Sequence, residues 1–350
     1  MTIIIFIIVL LVTVIVHEWG HFFIARKSGM TVEEFGFGIP PRLFSWKKGE
    51  TLYTINLLPI GGFVKIAGEN GIDGSAPVEK QFESKPWYLK SAVLVAGVVC
   101  NILLAIFLFT AAYTIGMPVA TDTGTPTIVS VVQGSPSEDA GLTVGDTITS
   151  VSVAGKTLAE PVSTDDVHTA VMNSDGPVTV TYIHFGKTST VDIVPSGKGT
   201  SRIIGLAIEP VSNQRLPLPK AFIAAAQQTY SVGTQIFATL GSLIAGIFHH
   251  NDTAKSLVGP VGLAHEVGSA ASIGFTYLLA FTAMISVNLA VINIMPFPAL
   301  DGGRLVVVLL EAITRRKFSQ NTVGIIHAAG FILLLGLMVF LTVGDVRRLF

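Results

Sequence analysis

The sequence predicts a polytopic α-helical membrane protein with four transmembrane helices, a membrane-associated β-hairpin region and one inserted β domain. Three observations predict it. Of 350 residues, 50% are hydrophobic and only 13% charged, with a mean hydropathy of +0.65; soluble chains carry about twice that share of charge. The charges are missing from whole segments rather than thinned throughout. Between two of those segments lies a stretch of opposite character, acidic and punctuated by Gly and Pro.

The same figures exclude several classes. A formal net charge of −1 excludes a nucleic-acid binder driven by a basic surface, and the apolar content excludes disorder. The single cysteine, Cys100, excludes an intramolecular disulfide framework and a multi-cysteine metal site. Its position inside an apolar run makes it a small apolar contact.

Residues 3–25 hold one acid, Glu18, while residues 91–117, 268–300 and 318–344 hold no Asp, Glu, Lys or Arg. Each is long enough for a helix crossing a hydrocarbon core, which takes about 20 residues. The expected spans are the first apolar run, 91–117, 272–298 and 322–343. The first run lacks a basic leader and a small-residue cleavage site and is followed by Arg26 and Lys27, so it reads as a retained span rather than a signal peptide. A further uncharged run, 221–248, carries Gln227, Gln228, Ser231, Thr234, Gln235, Thr239 and Ser242 opposite Phe222, Ile223, Tyr230, Phe237, Leu240, Ile244 and Ile247. That division suits an amphipathic helix lying in the membrane interface.

Three regions follow: an N-terminal membrane region 1–117, an extracytoplasmic domain 118–212 and a C-terminal membrane region 213–350. The middle region has ten acids against four bases, with short β-rich runs at Thr127–Val132, Thr147–Val153, Val178–His184 and Thr190–Pro195. With four spans, Arg26, Lys27, Lys85, Lys90, Arg304, Arg315, Arg316 and Lys317 share one side, expected to be cytosolic. Arg347 and Arg348 then fall outside, against the rule.

His17-Glu18-Trp19-Gly20-His21 is an H-E-x-x-H pattern within the first span. Residues i and i+4 share a helix face, so both imidazoles can reach one zinc ion, with Glu18 beside them as proton acceptor. A carboxylate at membrane depth costs on the order of 3 kcal/mol and defaults to a functional reading. Snorkelling to Arg26 is disfavoured by about two helical turns of separation, roughly 12 Å. A catalytic zinc needs a third protein ligand and an open position. The candidate is Asp301, in Asn293-Ile294-Met295-Pro296-Phe297-Pro298-Ala299-Leu300-Asp301-Gly302-Gly303, where two prolines break the helix and two glycines permit close backbone approach. An ordinary helix stop is the alternative, but it leaves the amides of Asn288 and Asn293 unexplained. His17 and His21 lie near the cytosolic end of the first span. Asp301 reaches that level only if residues 221–248 do not cross.

Together these residues resemble the site-2 protease family of intramembrane metalloproteases, in the bacterial regulator-of-sigma-E protease form. The resemblance spans nearly the whole chain. It rests on the HEWGH segment, Phe35-Gly36-Phe37-Gly38, Leu58-Pro59-Ile60-Gly61-Gly62-Phe63-Val64-Lys65, the acidic insert, Gly259-Pro260-Val261-Gly262 and the NxxPxPxLDGG stretch. It implies a zinc metalloendopeptidase of the bacterial inner membrane, with His17, His21 and Asp301 as zinc ligands and Glu18 as catalytic acid/base. It further implies Asn288, Asn293, Pro296 and Pro298 on the third span beside the substrate. The insert resembles a PDZ domain through Gly134–Asp146, which follows G-x-P-A-x-x-A-G-L-x-x-G-D with Ser137 in place of Ala; a groove strand is expected at Arg202–Ile208. Some members of the family carry two such domains, whereas 118–212 has room for one.

The expected reaction is hydrolysis of a peptide bond in or near the transmembrane segment of a single-span protein, of the anti-sigma-factor or remnant-signal-peptide kind. Glu18 would take the proton of the attacking water and return it to the leaving amine. The substrate helix must first become extended. Residues 31–66, with strands at Leu52–Asn56 and Gly62–Ile66, offer an edge for it, so Gly61, Gly62 and Phe63 join the substrate-binding candidates; a hairpin that merely caps the helices is the alternative. The expected partners are such substrates and the lipid bilayer, with no nucleic acid, and with the PDZ-like domain gating substrates or taking new C-termini. His327 reads as a packed or interfacial histidine of the fourth span, with support of the zinc site as the other reading. His249-His250 face apart on a helix and precede a polar turn, Asn251-Asp252. A metal transporter or a PDZ receptor with an inactive metal site remain rival readings; the first predicts further intramembrane acids, the second lost turnover.

Overall fold

The computed structural model describes every residue except 1, 70, 73, 133, 154–155, 160–161, 175, 185, 198–201, 250–258 and 350. It divides into two compact units. One comprises Met1–Ala112, Leu218–Ala271 and Leu278–Phe350, the other Tyr113–Pro217 with Ser272–Tyr277.

The larger unit begins with helix α1 (Thr2–Lys27), apolar around its circumference and closed by Arg26 and Lys27. Strands β1 (Val32–Lys48) and β2 (Thr51–Ile66) follow as a two-stranded sheet. β1 bends back within this sheet: Phe35 faces Val64 on one side and Tyr53 on the other, and Trp46 also faces Tyr53. Residues 62–66 pair only with the first part of β1, so one of their edges carries no strand among the described residues. Two short 3-10 turns, Val78–Lys80 and Phe82–Ser84, lead into α2 (Trp87–Ile115).

The smaller unit runs β3 (Met117–Val131), the short α3 (Pro136–Asp139), β4 (Thr147–Val153), β5 (Lys156–Ala159), α4 (Thr164–Asn173), β6 (Val178–His184), β7 (Lys187–Ile193) and β8 (Leu206–Gln214), its strands forming one antiparallel sheet. Its order is β7-β6-β4-β3-β8, with β5 beside β4. The strands fill a core around Ile128, Ile148, Val151, Val178, Val180 and Ile193, closed by Val167, Ala170 and Val171 of α4. The β-rich runs read from the sequence at Thr147–Val153 and Val178–His184 coincide with β4 and β6. That reading passes over α4, whose start is marked by a reciprocal cap between Ser163 and Asp166.

The chain continues with α5 (Leu218–His249), α6 (Pro260–Ile273), α7 (Phe275–Ile294), α8 (Asp301–Thr314) and α9 (Gln320–Leu349), all in the larger unit except Ser272–Tyr277 at the α6–α7 junction. Along α5, Ala221, Ala225, Thr229 and Val232 are buried while Phe222, Ile223, Tyr230 and Phe237 are exposed. The helix packs through small residues and leaves its large apolar face uncovered. Of the polar stretch after it, residues 250–258, with His250, Asn251 and Asp252, lie outside the described residues.

Among the described residues, four helices are long and apolar enough to cross a membrane: Thr2–Lys27, Trp87–Ile115, Phe275–Ile294 and Gln320–Arg347. The third corrects an expectation. The stretch 272–298 is not one helix: Gly274, at φ +152°, separates α6 from α7, and α7 stops at Ile294. Pro296 and Pro298 therefore lie in the turn between α7 and α8, because proline has no N–H to continue a helical ladder.

Near the C-terminal end of α1, a core of Ala25, Met30, Val32, Ile66, Phe82, Val93, Leu94 and Val308 joins α1, the sheet, α2 and α8. Beside it the buried Lys90 reaches Glu83 at 3.3 Å and Glu311 at 3.8 Å, and Lys317 reaches Glu83 at 3.3 Å. This cluster ties the 3-10 turns, the start of α2 and α8 to one another, so the helices that carry the site are fixed from below.

Candidate metal centre

The helical spacing of His17 and His21 places both rings on the face of α1 that meets α2. Their Nε2 atoms are 3.1 Å apart, and Oδ2 of Asp301 lies 3.1 Å from the first and 3.2 Å from the second. Three potential ligand atoms thus form a nearly equilateral triangle. One face of a tetrahedron with metal–ligand bonds of about 2.0–2.1 Å has edges of roughly 3.3 Å, so the donor set fits a tetrahedral ion with one position left open.

The other ring nitrogens decide which lone pairs are available. Nδ1 of His21 is 2.8 Å from the Val93 carbonyl oxygen. A carbonyl only accepts, so Nδ1 carries the proton and Nε2 is unprotonated toward the centre. Nδ1 of His17 faces the fully buried amide of Asn101 at 3.3 Å, whose Oδ1 has no hydrogen-bond partner. Exchanging the amide's nitrogen and oxygen, which have nearly the same shape, lets Oδ1 accept from Nδ1–H, and His17 keeps its Nε2 lone pair for the centre.

Close helix packing makes this possible. A β-carbon at Gly20 would stand 2.5 Å from the Ala96 carbonyl oxygen and 2.9 Å from Cys100 Sγ, so the H-E-x-x-H turn lies directly on α2. At Gly97 a β-carbon would collide with His21 Nε2 and stand 2.8 Å from His17 Nε2. Ser286 of α7 donates to the Asn101 carbonyl at 2.8 Å, which brings α7 to the same level.

Asp301 is the first residue of α8. Gly302 and Gly303 let the opening turn of this helix lie against the carbonyls of Ile294, Met295 and Phe297, where a β-carbon would clash.

A cavity of about 440 Å³ opens beside these groups and is lined by Glu18, Gly61, Gly62, Phe63, Asn293 and Arg304 among others. At Gly62 a β-carbon would sit 3.1 Å from Glu18 Cγ, so the sheet edge passes close to that carboxylate. Asn293 Nδ2 lies 3.2 Å from His17 Nε2. Arg304 and Glu69, ion-paired to each other, also line the cavity. Asn288 does not: it is exposed elsewhere on α7. Pro296 and Pro298 shape the turn without lining the cavity. Sequence reasoning missed Asn101 and Gly97, although Asn101 is an amide in a charge-free run, the feature that drew attention to Asn288 and Asn293.

Residues 5–337 match Peptidase family M50. The chain belongs to peptidase family M50. This family comprises the site-2 proteases, so the protein is a metalloprotease, and its four membrane-length helices make it a multi-pass membrane protein. Similar proteins include one from Staphylococcus aureus (strain COL), 32% identical with 100% of this chain and 99% of the relative covered, and one from Clostridium perfringens (strain 13 / Type A), 32% identical with 95% of each covered. The names of both describe zinc metalloproteases. The zinc metalloprotease RasP of Oceanobacillus iheyensis is 28% identical, over 100% of this chain and 99% of its own length.

Proposed function

We propose that this M50 protease binds zinc through His17, His21 and Asp301 and hydrolyses a peptide bond within or beside the transmembrane segment of a single-span membrane protein. The observation that carries this reading is the triangle of His17 Nε2, His21 Nε2 and Asp301 Oδ2, with Glu18 on the wall of the adjoining cavity. The zinc relatives support the choice of metal, as do two imidazoles and one carboxylate in tetrahedral spacing.

Zinc bound there supplies Lewis acidity, which acidifies water and polarises a peptide carbonyl. The chain's own groups do the rest. Glu18 accepts the proton of the attacking water and delivers it to the departing amine nitrogen. Val93 and Asn101 hold the two imidazoles in the tautomer that leaves Nε2 unprotonated. The uncovered edge at Gly62–Ile66 borders the cavity and binds the substrate as an added strand, which satisfies its backbone once its helix has unwound. Asn293 and Arg304 offer polar contacts to that extended segment.

The smaller unit serves as a PDZ-type domain. A groove between α4 and residues 202–208, lined by His168, Met172, Ile203 and Leu206, suits an extended peptide. This domain lies outside the bacterial inner membrane, with the metal centre toward the cytosolic face and α5 in the interface. Substrates are of the anti-sigma-factor or remnant-signal-peptide kind.

The deciding experiment is Glu18→Gln in a cleavage assay on a single-span substrate, with zinc measured in the same preparation. Zinc should stay bound while cleavage falls by at least about 100-fold. Unchanged cleavage refutes the role given to Glu18.

A further inference from the structure

The turn that delivers Asp301 is held from outside by α9. Along residues 321–333 of α9 only Val323, His327 and Gly330 are not exposed, a stripe at helical spacing. The other side chains there, including Ile325, Ile326, Phe331, Ile332 and Leu333, point away from the protein. Two of the three inward residues meet the α7–α8 turn. Ala299 donates its backbone N–H to His327 Nδ1 at 2.9 Å. Gly330 lies so close that a β-carbon there would stand 2.6 Å from both Cβ and O of Pro298. Ala299 adopts φ +78°, a left-handed conformation that residues with a β-carbon rarely take. It stands two residues before Asp301 and lines the same cavity.

From these contacts we infer that His327 is a positioning residue for the metal centre: its Nδ1 anchors the left-handed turn at Ala299, and so fixes Asp301 against His17 and His21. The inference rests on the proposed reading of Asp301 as the third ligand. Neither proline of the turn has an N–H, and the Phe297 and Leu300 N–H groups are used within it, on the Met295 and Phe297 carbonyls. The Ala299 N–H is bonded to α9 instead. Because Nδ1 accepts, the ring proton sits on Nε2, and any replacement must present an acceptor at the position of Nδ1. Asparagine does so through Oδ1; leucine fills the space and offers none.

Zinc affinity, measured by chelator competition on the full-length protein in detergent, tests this alongside cleavage of a single-span substrate. His327→Leu should weaken zinc by about tenfold, the lower end of what loss of an outer support costs a metal site. His327→Asn should restore most of that affinity and the cleavage rate, which a purely space-filling role for the ring would not allow. Should His327→Leu fail to fold, Gly330→Ala, which crowds Pro298 while leaving the histidine intact, should weaken zinc in the same direction. Wild-type zinc affinity in a folded His327→Leu protein, or no recovery in His327→Asn, overturns the inference. Asp301→Asn separates the two levels. If it loses zinc while His327→Leu does not, only the positioning role falls; if it keeps zinc at wild-type affinity, the ligand assignment falls first.

Discussion

Gly97 of α2 lies directly against His21 of α1, close enough that a β-carbon would overlap the ring nitrogen Nε2. The obstruction would come from helix backbone on one side and an imidazole already bonded to Val93 on the other, so neither side can yield cheaply. Gly97→Ala should therefore displace both histidines and weaken zinc by at least about tenfold. Gly336→Ala is the matched control, since a β-carbon there meets nothing within 4 Å. Zinc content of the two variants after identical purification checks this. Equal zinc in both means that the helix crossing is looser than described.

Asn101 bears on His17 as Val93 bears on His21. If its Oδ1 accepts the Nδ1 proton, Asn101→Leu removes the constraint on ring orientation and leaves that N–H buried without a partner. Zinc affinity should fall by about 10- to 100-fold. Asn101→Asp keeps an acceptor and should retain more zinc than the leucine variant. The opposite ranking would mean that the amide donates to His17 rather than accepts from it.

How far the site could be read from sequence depends on the range of the signal. His17 and His21 are legible because four residues on one helix fix a shared face, and Asp301 because prolines and glycines mark a break in an apolar run. Strands β4 and β6 are legible as short β-rich runs bounded by Gly and Pro, with Val151, Val178 and Val180 buried. Asn101 is different. A single amide in an apolar helix says that it needs a partner, but its partner is 84 residues away, and only the α1–α2 crossing brings them together. The same limit hid the division of α6 from α7, since Gly274 in an uncharged run looks like any small residue of a span. For His327, periodicity could suggest an inward face but not that the face meets the turn before Asp301.

Asp345, near the end of α9, accounts for the Gly259-Pro260-Val261-Gly262 segment. Its Oδ1 accepts from the Gly259 N–H at 3.1 Å and its Oδ2 from the Gly262 N–H at 2.8 Å, so α9 caps the first turn of α6 with a buried carboxylate. Gly259 suits this contact because a β-carbon would stand 2.6 Å from Oδ2. Asp345→Ala should cost about 1.5–3 kcal/mol, the range for hydrogen bonds to a charged group. It should lower the melting temperature in detergent and leave zinc affinity unchanged. A variant that melts like the parent would show that the cap contributes little.

Strand addition at Gly62–Ile66 makes a prediction that depends on alternation. Successive N–H groups along a strand point to opposite edges, so of Phe63 and Val64 one donates toward β1 and the other toward the uncovered edge. Proline removes the donor at either position. Of Phe63→Pro and Val64→Pro, one should destabilise the sheet, measured as a lower melting temperature. The other should melt close to the parent yet lose most cleavage of a single-span substrate. Both should retain zinc, because neither residue contributes a ligand atom. A capping hairpin with no substrate role predicts instead that the more stable variant cleaves at the parent rate, and that result would remove the strand-addition step from the mechanism.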